Sequence, residues 1–415
     1  MPLISPNLYQ LKNISLFSEI TGREWNLDVA FNIIEFSLYE GLFSEAVSGN
    51  LLLSDTSNLV SVIPIVGNEK IKISLEDNSK NKIDLQFRVY SISSYSVENI
   101  GTSAYILNFT SEEYFLSTNT SISRAYKNIT ASDIAKRIYD SLETDKSFDI
   151  EETRYLLDVI IPSWSPFKSI NWLTSRASSL VYDGASFLFF ETLSGYNFKS
   201  LELLMDVDEV YRTFVNIPVQ SDDLKSNYQL IRQFRVKDCF NTIKHQLHGM
   251  YSSRVISHDI VKRKYDILDF NYRDTFKNYK HLNPGILIPS DTVDNSLDYT
   301  DNPQGMINVV PKHFNLFDNE GQNYNTHREK VLQIRKSQLE QINNLKIEII
   351  ITGDLEIRCG NIVEVLTPSN STSGTWEWDL HLSGKYLITS IRHSFSPNGH
   401  DTLLTLQRDT YSQKI

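Results

Sequence analysis

Apolar and polar residues alternate with a period of two along much of the first third of the chain. Ile71-Lys72-Ile73-Ser74-Leu75 is one such run. A second follows the polar cluster Asp77-Asn78-Ser79 and Asn81: Ile83, Leu85, Phe87 and Val89 share one face, with Asp84, Gln86 and Arg88 between them. Successive side chains of a strand point to opposite faces, so each run predicts a strand with one buried face. The polar cluster between them predicts a hairpin or short loop. Further strands are predicted at residues 51–53, after Ser48-Gly49-Asn50 and before the turn signal Asp55-Thr56-Ser57-Asn58, and at residues 103–110. Several strands with few helices point to a sandwich or barrel over the first ~115 residues.

The period then lengthens. Thr130-Ala131-Ser132-Asp133 supplies a capping hydroxyl and an acidic third position, and Ile134, Ile138 and Leu142 recur every four residues on one helix face. Ser165-Pro166 starts a second helix, continued by Ile170, Leu173 and Ala177, because proline at the first helical position loses no hydrogen bond. Residues 186–192 and 197–204 read as a hairpin closed at Ser194-Gly195-Tyr196, making the middle of the chain α+β. Residues 281–325 are rich in loop signals such as Asn283-Pro284-Gly285 and Asn302-Pro303. A stretch of that kind usually embraces a neighbour or is mobile. Thr326-His327-Arg328-Glu329 matches a capping box and predicts a helix to about Asn343. Strands are predicted at 345–352, 356–358, 362–366, 386–393 and 402–408, with turns at Gly353-Asp354, Cys359-Gly360, Ser383-Gly384 and Asn398-Gly399. This last series reads as a repeat of the first β region in architecture, not in identity.

A chain of 415 residues is too long for one ordinary core and suggests two to four domains. Hydrophobic residues at 40% and charged residues at 22% exclude wholesale disorder. Two cysteines, Cys239 and Cys359, are too few for a disulfide framework or a four-cysteine zinc site. The start lacks the basic segment and apolar block of an export signal. No apolar run reaches 18 residues, and the strongest, near 188–193, is interrupted by Glu191. A soluble protein without membrane insertion is therefore expected. Net charge is −11, yet residues 226–280 hold 11 Lys/Arg against 5 Asp/Glu. An acidic body argues against tight, sequence-independent DNA binding. The basic segment fits a solvated face or a partner for acidic surface.

Candidate chemistry is sparse. His245 and His248 lie near Cys239 with spacing that can share a helix face, but zinc needs three or four converging ligands. Cys239 as a nucleophile with His245 or His258 as base lacks any sign of a lowered thiol pKa. Glu112-Glu113 and Glu151-Glu152 are adjacent carboxylates, and adjacent residues diverge on a strand or a helix, which works against paired acid–base catalysis. Trp376-Glu377-Trp378 could stack on sugars, but at period two it fits cover for a sheet face. No nucleotide-binding or serine-hydrolase motif occurs. No catalytic residue, metal ligand or cofactor is expected.

Four stretches together resemble the central baseplate hub proteins of contractile-tailed bacteriophages, which are related to the trimeric base of VgrG spikes. They are residues 59–71 (LVSVIPIVGNEKI); Phe187-Leu188-Phe189-Phe190-Glu191-Thr192 with Gly195-Tyr196 and Phe198; Gly249-Met250-Tyr251-Ser252-Ser253-Arg254 with His258-Asp259, Lys264-Tyr265, Phe270-Asn271-Tyr272 and His281-Leu282-Asn283; and Gly360-Asn361-Ile362-Val363-Glu364-Val365 with Ser383-Gly384-Lys385-Tyr386-Leu387-Ile388 and Ile391-Arg392-His393. No single stretch is a strict signature. Their order and spacing carry the resemblance.

The resemblance implies a mainly β chain with α+β parts: two tube-like β-barrel domains plus α+β insert domains. It places the first tube domain at 1–117, an α+β domain at 118–205, the second tube domain at 206–238 and 328–412, and a loop-rich insertion at 239–327. It implies a homotrimer whose six barrels imitate sixfold symmetry. Such a ring would join the tail tube above to the central spike below and the baseplate wedges at its periphery, with DNA passing through the lumen without specific binding. Localisation in the virion, after assembly in the host cytoplasm, follows, and any lytic activity would belong to the spike. Two other readings remain beside it. A spike base of a type VI or related injection system would be expected to carry a repetitive β-helix needle, which this chain lacks. A glycan-active enzyme would show itself by cell-wall zymography.

Overall fold

The structure, a computed structural model, describes residues 9–27, 32–56, 60, 65–77, 82–99, 102–217, 228–259, 263–286, 305–312, 328–369 and 377–412. The first part consists of β1 (Tyr9–Ser18), β2 (Arg23–Asn26), β3 (Asn32–Gly41), β4 (Ser48–Asp55), β5 (Lys70–Asp77), β6 (Lys82–Asn99) and β7 (Thr102–Ser111), joined by antiparallel pairing in which β5 crosses to β1 and β7 to β4. The period-two pattern sends Ile71, Ile73, Phe87 and Val89 into a core with Ile14, Leu16, Phe36, Leu38, Leu51 and Phe109. Gly49 lies where β4 passes under the Phe109 ring and the Ser37 carbonyl, and a Cβ there would overlap both. Backbones can pass this closely only at glycine.

Helix α1 (Glu112–Asn119) leads into a layered region of β8 (Ile122–Thr130), α2 (Ala131–Asp140), β9 (Phe148–Ile150), β10 (Leu156–Trp164), α3 (Pro166–Thr174), β11 (Phe187–Thr192), β12 (Gly195–Ser200) and α4 (Leu201–Met205). The Thr130 hydroxyl accepts from Asp133 N, and Ile134 and Ile138 are fully buried. One expectation needs correcting here. The second hairpin strand does not continue to 204, because the Ser200 hydroxyl accepts from Leu203 N and caps α4. Helices α2 and α3 enclose a separate core of Ile134, Ile138, Val159, Phe167, Phe189, Tyr196 and Phe198.

The chain continues through β13 (Arg212–Val215), β14 (Gln233–Asp238), α5 (Thr242–Leu247), β15 (Ser252–Asp259), β16 (Lys264–Asn271), α6 (Tyr272–Thr275) and β17 (Ile307–Lys312). Strand β17 lies inside the stretch read from sequence as loop. Helix α7 (Arg328–Gln341) forms as expected, while its capping threonine, Thr326, falls outside the described residues. Then come β18 (Leu345–Thr352), β19 (Ile362–Leu366), β20 (Gly384–Ser396) and β21 (Gly399–Arg408). The expected strand at 356–358 is absent. Glu356 N donates to Asp354 Oδ1 and Arg358 N to Asn361 Oδ1, which folds the segment into consecutive turns. Ile347, Ile349, Ile351, Val363, Val365, Ile388 and Leu404 fill the core of this last sheet.

The two β regions are one continuous sheet. Strand β20 pairs with β3 from Ser390↔Gly41 to Phe395↔Phe36, giving the order β14-β18-β21-β20-β3-β4-β7-β6-β5-β1-β2, with β19 beside β20 and β13 parallel to β19. Among the described residues no strand pair closes either half into a barrel. The chain is mainly β with α+β parts. Among the described residues no helix is long and apolar enough to cross a membrane.

Candidate functional site

None of the residue sets picked out as candidate chemistry converges on a reaction centre. His245 on α5 and His248, which caps its C-terminus, both reach Glu340 on α7, from Nδ1 to its carboxylate at 3.1 and 3.2 Å. Burial lowers the His245 pKa despite that carboxylate. The pair ties α5 to α7. Cys239 is exposed, and no three His, Cys, Asp or Glu side chains gather among the described residues as a metal would require. Cys359 is buried against Leu42 and Ile388 in the last core, where burial raises its thiol pKa. Glu151 is buried and accepts from Ser200 N (2.6 Å) and Oγ (3.1 Å), while Glu152 faces solvent. Glu112 pairs with Arg88, and Glu113 accepts from Thr144 Oγ1 at 2.7 Å. Trp378 bridges to Pro368 by backbone pairing, and Trp376 lies outside the described residues.

What the fold does concentrate is a joint between its layers, built on buried carboxylates. The side chain of Glu191, on the wholly buried strand β11, accepts from Val47 N at 2.7 Å and from the Ser111 hydroxyl, both in the first β region. Its other oxygen receives Lys146 Nζ at 2.7 Å, and the same ammonium reaches Glu113 at 2.6 Å. Burial raises the Glu191 pKa even against this lysine. Burial alone would depress Lys146, but the two carboxylates outweigh it and hold the ammonium above its ordinary value. The two carboxylates are buried and the lysine partly exposed, so loss of the lysine leaves both acids desolvated and without their cation.

A second carboxylate spans three parts at once. Glu40, on β3, accepts from Leu193 N (3.2 Å) at the β11–β12 turn and from Cys359 N (3.3 Å) in the last sheet. Burial pushes its pKa up to about 7, against the pull of Arg358 and the two backbone donors. Arg358 in turn donates from Nε to Ser194 Oγ at 2.9 Å. From α7, Arg335 enters the middle layer and donates to the carbonyls of Phe187 (2.5 Å) and Thr174 (3.2 Å). Buried carbonyls and carboxylates satisfied across layers fix how the layers sit together. In the sequence Glu191 stood out as the acid that broke an apolar run and as a member of one stretch of the resemblance. That was the available signal: an acid inside a fully buried strand must find partners.

The chain also presents edges. At the ends of the large sheet lie β2, four residues long and beginning with Arg23 and Glu24, and β14, which carries Arg235 and Lys237. Unpaired edges are where sheets extend from one molecule to the next.

No protein-family model matches the chain. It is 24% identical over 407 residues to a probable baseplate hub protein, gp334, of Vibrio phage KVP40, covering 94% of this chain and 93% of that one. The chain resembles a phage baseplate hub protein from end to end. Among solved structures, a tail protein from Neisseria meningitidis MC58 matches with a TM-score of 0.58 at 12% identity, over 97% of this chain and 98% of that one. The 43 kDa tail protein of prophage MuSo2 from Shewanella oneidensis matches with a TM-score of 0.56 at 10% identity, over 96% and 99%. These two likenesses show a shared fold, that of phage tail proteins. The resemblance read from the four sequence stretches thus holds for the hub-like chain as a whole.

Proposed function

We propose that this chain is the structural baseplate hub of a contractile phage tail. Three copies close a ring, and each copy contributes two tube-like units: residues 1–117, and 206–238 with 328–412. The α+β part, 118–205, and the segment 239–327 lie at the periphery, where baseplate wedges would dock. The observation that carries this reading is the pairing of β20 with β3, which joins two β regions with separate cores into one sheet within a single chain. A trimer of such chains offers six similar units to a sixfold tube while keeping threefold symmetry toward a spike. The joint at Glu40 and Glu191 supports it, because six units are evenly spaced only if the two in each chain are held rigidly. Net charge of −11 supports a lumen that repels DNA phosphates over the ~8–10 Å screening length. We assign no catalytic residue or cofactor. Cryo-electron microscopy of the tail that contains this chain is expected to find three copies of this fold between tube and spike. Finding the chain elsewhere in the particle, or in another copy number, would refute the assignment.

A further inference from the structure

A short strap ties the 239–327 segment to the last sheet. After the turn Phe276–Asn278, residues 280–285 cross the start of β20 and the end of β21. Asn283 Nδ2 donates to Lys385 O (3.0 Å), Lys385 N donates back to Asn283 Oδ1 (3.0 Å), and Asn283 N donates to Thr410 Oγ1 (2.9 Å). Gly285 and Tyr411 exchange backbone bonds of 2.8 and 3.1 Å. Leu282 seats in the core of the last sheet.

His281 stands in the middle of this strap with an acceptor at each ring nitrogen. Nδ1 lies 2.7 Å from Asp409 Oδ2, and Nε2 lies 2.9 Å from Phe276 O. The other oxygen of Asp409 already accepts from Leu282 N (3.2 Å) and the Thr410 hydroxyl (3.0 Å). A carboxylate and a carbonyl only accept, so both ring nitrogens carry hydrogen and the ring is a cation. The Phe276 ring stacks on it with centroids 3.9 Å apart, which suits a cation. A neutral imidazole has a single N–H and would turn a lone pair against one of these oxygens.

The surroundings favour the charged ring. Burial alone would lower the His281 pKa, but Asp409, the Phe276 carbonyl and Glu202 outweigh it and raise it. The charged groups acting on it, Asp409 beyond β21 and Glu202 on α4, are both acids, and the ammonium of adjacent Lys280 is taken up by Asp206 at 2.8 Å. Burial pushes Glu202 up to about 7, so its charge grows as pH rises and delays loss of the ring proton.

We propose that His281 is a pH-released clasp: its imidazolium fastens residues 280–285 across the end of the last sheet, and loss of one ring proton frees them. Below the ordinary 6.5 the ring is charged in folded and unfolded chain alike, and the clasp holds fully; above the raised folded value its contribution is lost. Release uncovers the seat of Leu282. The sheet of β15, β16 and β17 stays attached through α7, where Gln333 Nε2 donates to Ser253 O (2.8 Å) and Leu268 O (3.1 Å). The clasp is independent of where the chain sits in a particle.

Amide hydrogen exchange of residues 282, 283, 285 and 411 in the purified protein, corrected for intrinsic rates between pH 6 and 9, tests it. Protection is expected to fall at least tenfold over that range relative to the amides of β21, because one proton changes an opening equilibrium by up to about tenfold per pH unit. In the Asp409→Asn variant the new amide can donate to Nδ1 while Nε2 still donates to Phe276 O, so a neutral ring fits. That variant should keep its strap protection at pH 9. His281→Gln should be weakly protected at every pH. Constant protection in the parent from pH 6 to 9, a fall shared equally by β21, or an Asp409→Asn profile identical to the parent's would each overturn the inference.

Discussion

Replacing Lys146 by methionine is expected to destabilise the protein by about 2–3 kcal/mol, below the range for a fully buried pair because the lysine side chain is 34% exposed. The ammonium pairs with both Glu191 and Glu113, whose side chains are 2% and 7% exposed. Methionine preserves the length and apolar stem of the side chain but leaves two buried carboxylates facing each other. Those carboxylates also anchor Val47, Ser111 and Thr144, so the loss falls on the seam between the first β region and the α+β layer. Thermal denaturation followed by circular dichroism measures it. Adding Glu113→Gln and Glu191→Gln to the same variant removes the stranded charges and should recover most of the loss. A Lys146→Met variant that melts with the parent would show that the joint does not hold the layers together.

Stability is expected to be nearly flat between about pH 4.5 and 6.5 and to fall on both sides. His393 and His400 lie 3.2 Å apart in the core beside Thr402. Burial holds His393 down to about 3 and His400 well below the ordinary 6.5. The unfolded chain therefore takes up these protons first, and stability falls as pH drops below about 6.5, by on the order of 4–5 kcal/mol for His393 by pH 3. Glu40 and Glu202 act in the opposite sense. Burial raises both from 4.5 to about 7, so the folded chain takes up their protons first and gains stability as pH falls from about 7 to 4.5. The two trends offset between 6.5 and 4.5. Below 4.5 the unfolded carboxylates are protonated as well, and the histidine loss stands alone. Above 6.5 ionisation of the buried carboxylates lowers stability toward pH 8. Denaturant midpoints from pH 3.5 to 8 measure the profile, and Glu40→Gln should weaken its alkaline decline. A steady rise in stability from pH 4.5 to 8 would contradict the burial of these carboxylates.

The strands that alternate cleanly were legible from residue order alone. Residues 71–75, 83–89 and 345–351 turn every second side chain inward, residues 402–408 are buried on both faces from Leu404 onward, and the structure puts a strand at each. The helix after Thr130 was equally plain, because cap, acid and four-residue spacing agree. Other elements were hidden for physical reasons. Strand β16 is exposed from Lys264 to Asp269 and buries only Phe270, so it has no alternation to read. Helix α1 is short, with an N-cap serine that makes no side-chain cap bond. Glu356–Arg358 looked extended because its apolar Ile357 points inward, yet side-chain bonds from Asp354 and Asn361 bend the backbone there. The joint was least legible of all. Glu40 meets Cys359 across 319 positions and Glu191 meets Val47 across 144. Local pattern says nothing about contacts at such separation. Only the stranded acid in Phe187-Leu188-Phe189-Phe190-Glu191-Thr192 hinted at them.

Mass and symmetry of the purified protein at micromolar concentration test the ring most directly. Sedimentation is expected to give a species three times the 47.8 kDa chain mass, and images viewed down its axis should show six similar lobes around a central channel with threefold symmetry. A monomer under those conditions, or a ring of any other order, would contradict a hub built from paired tube-like units.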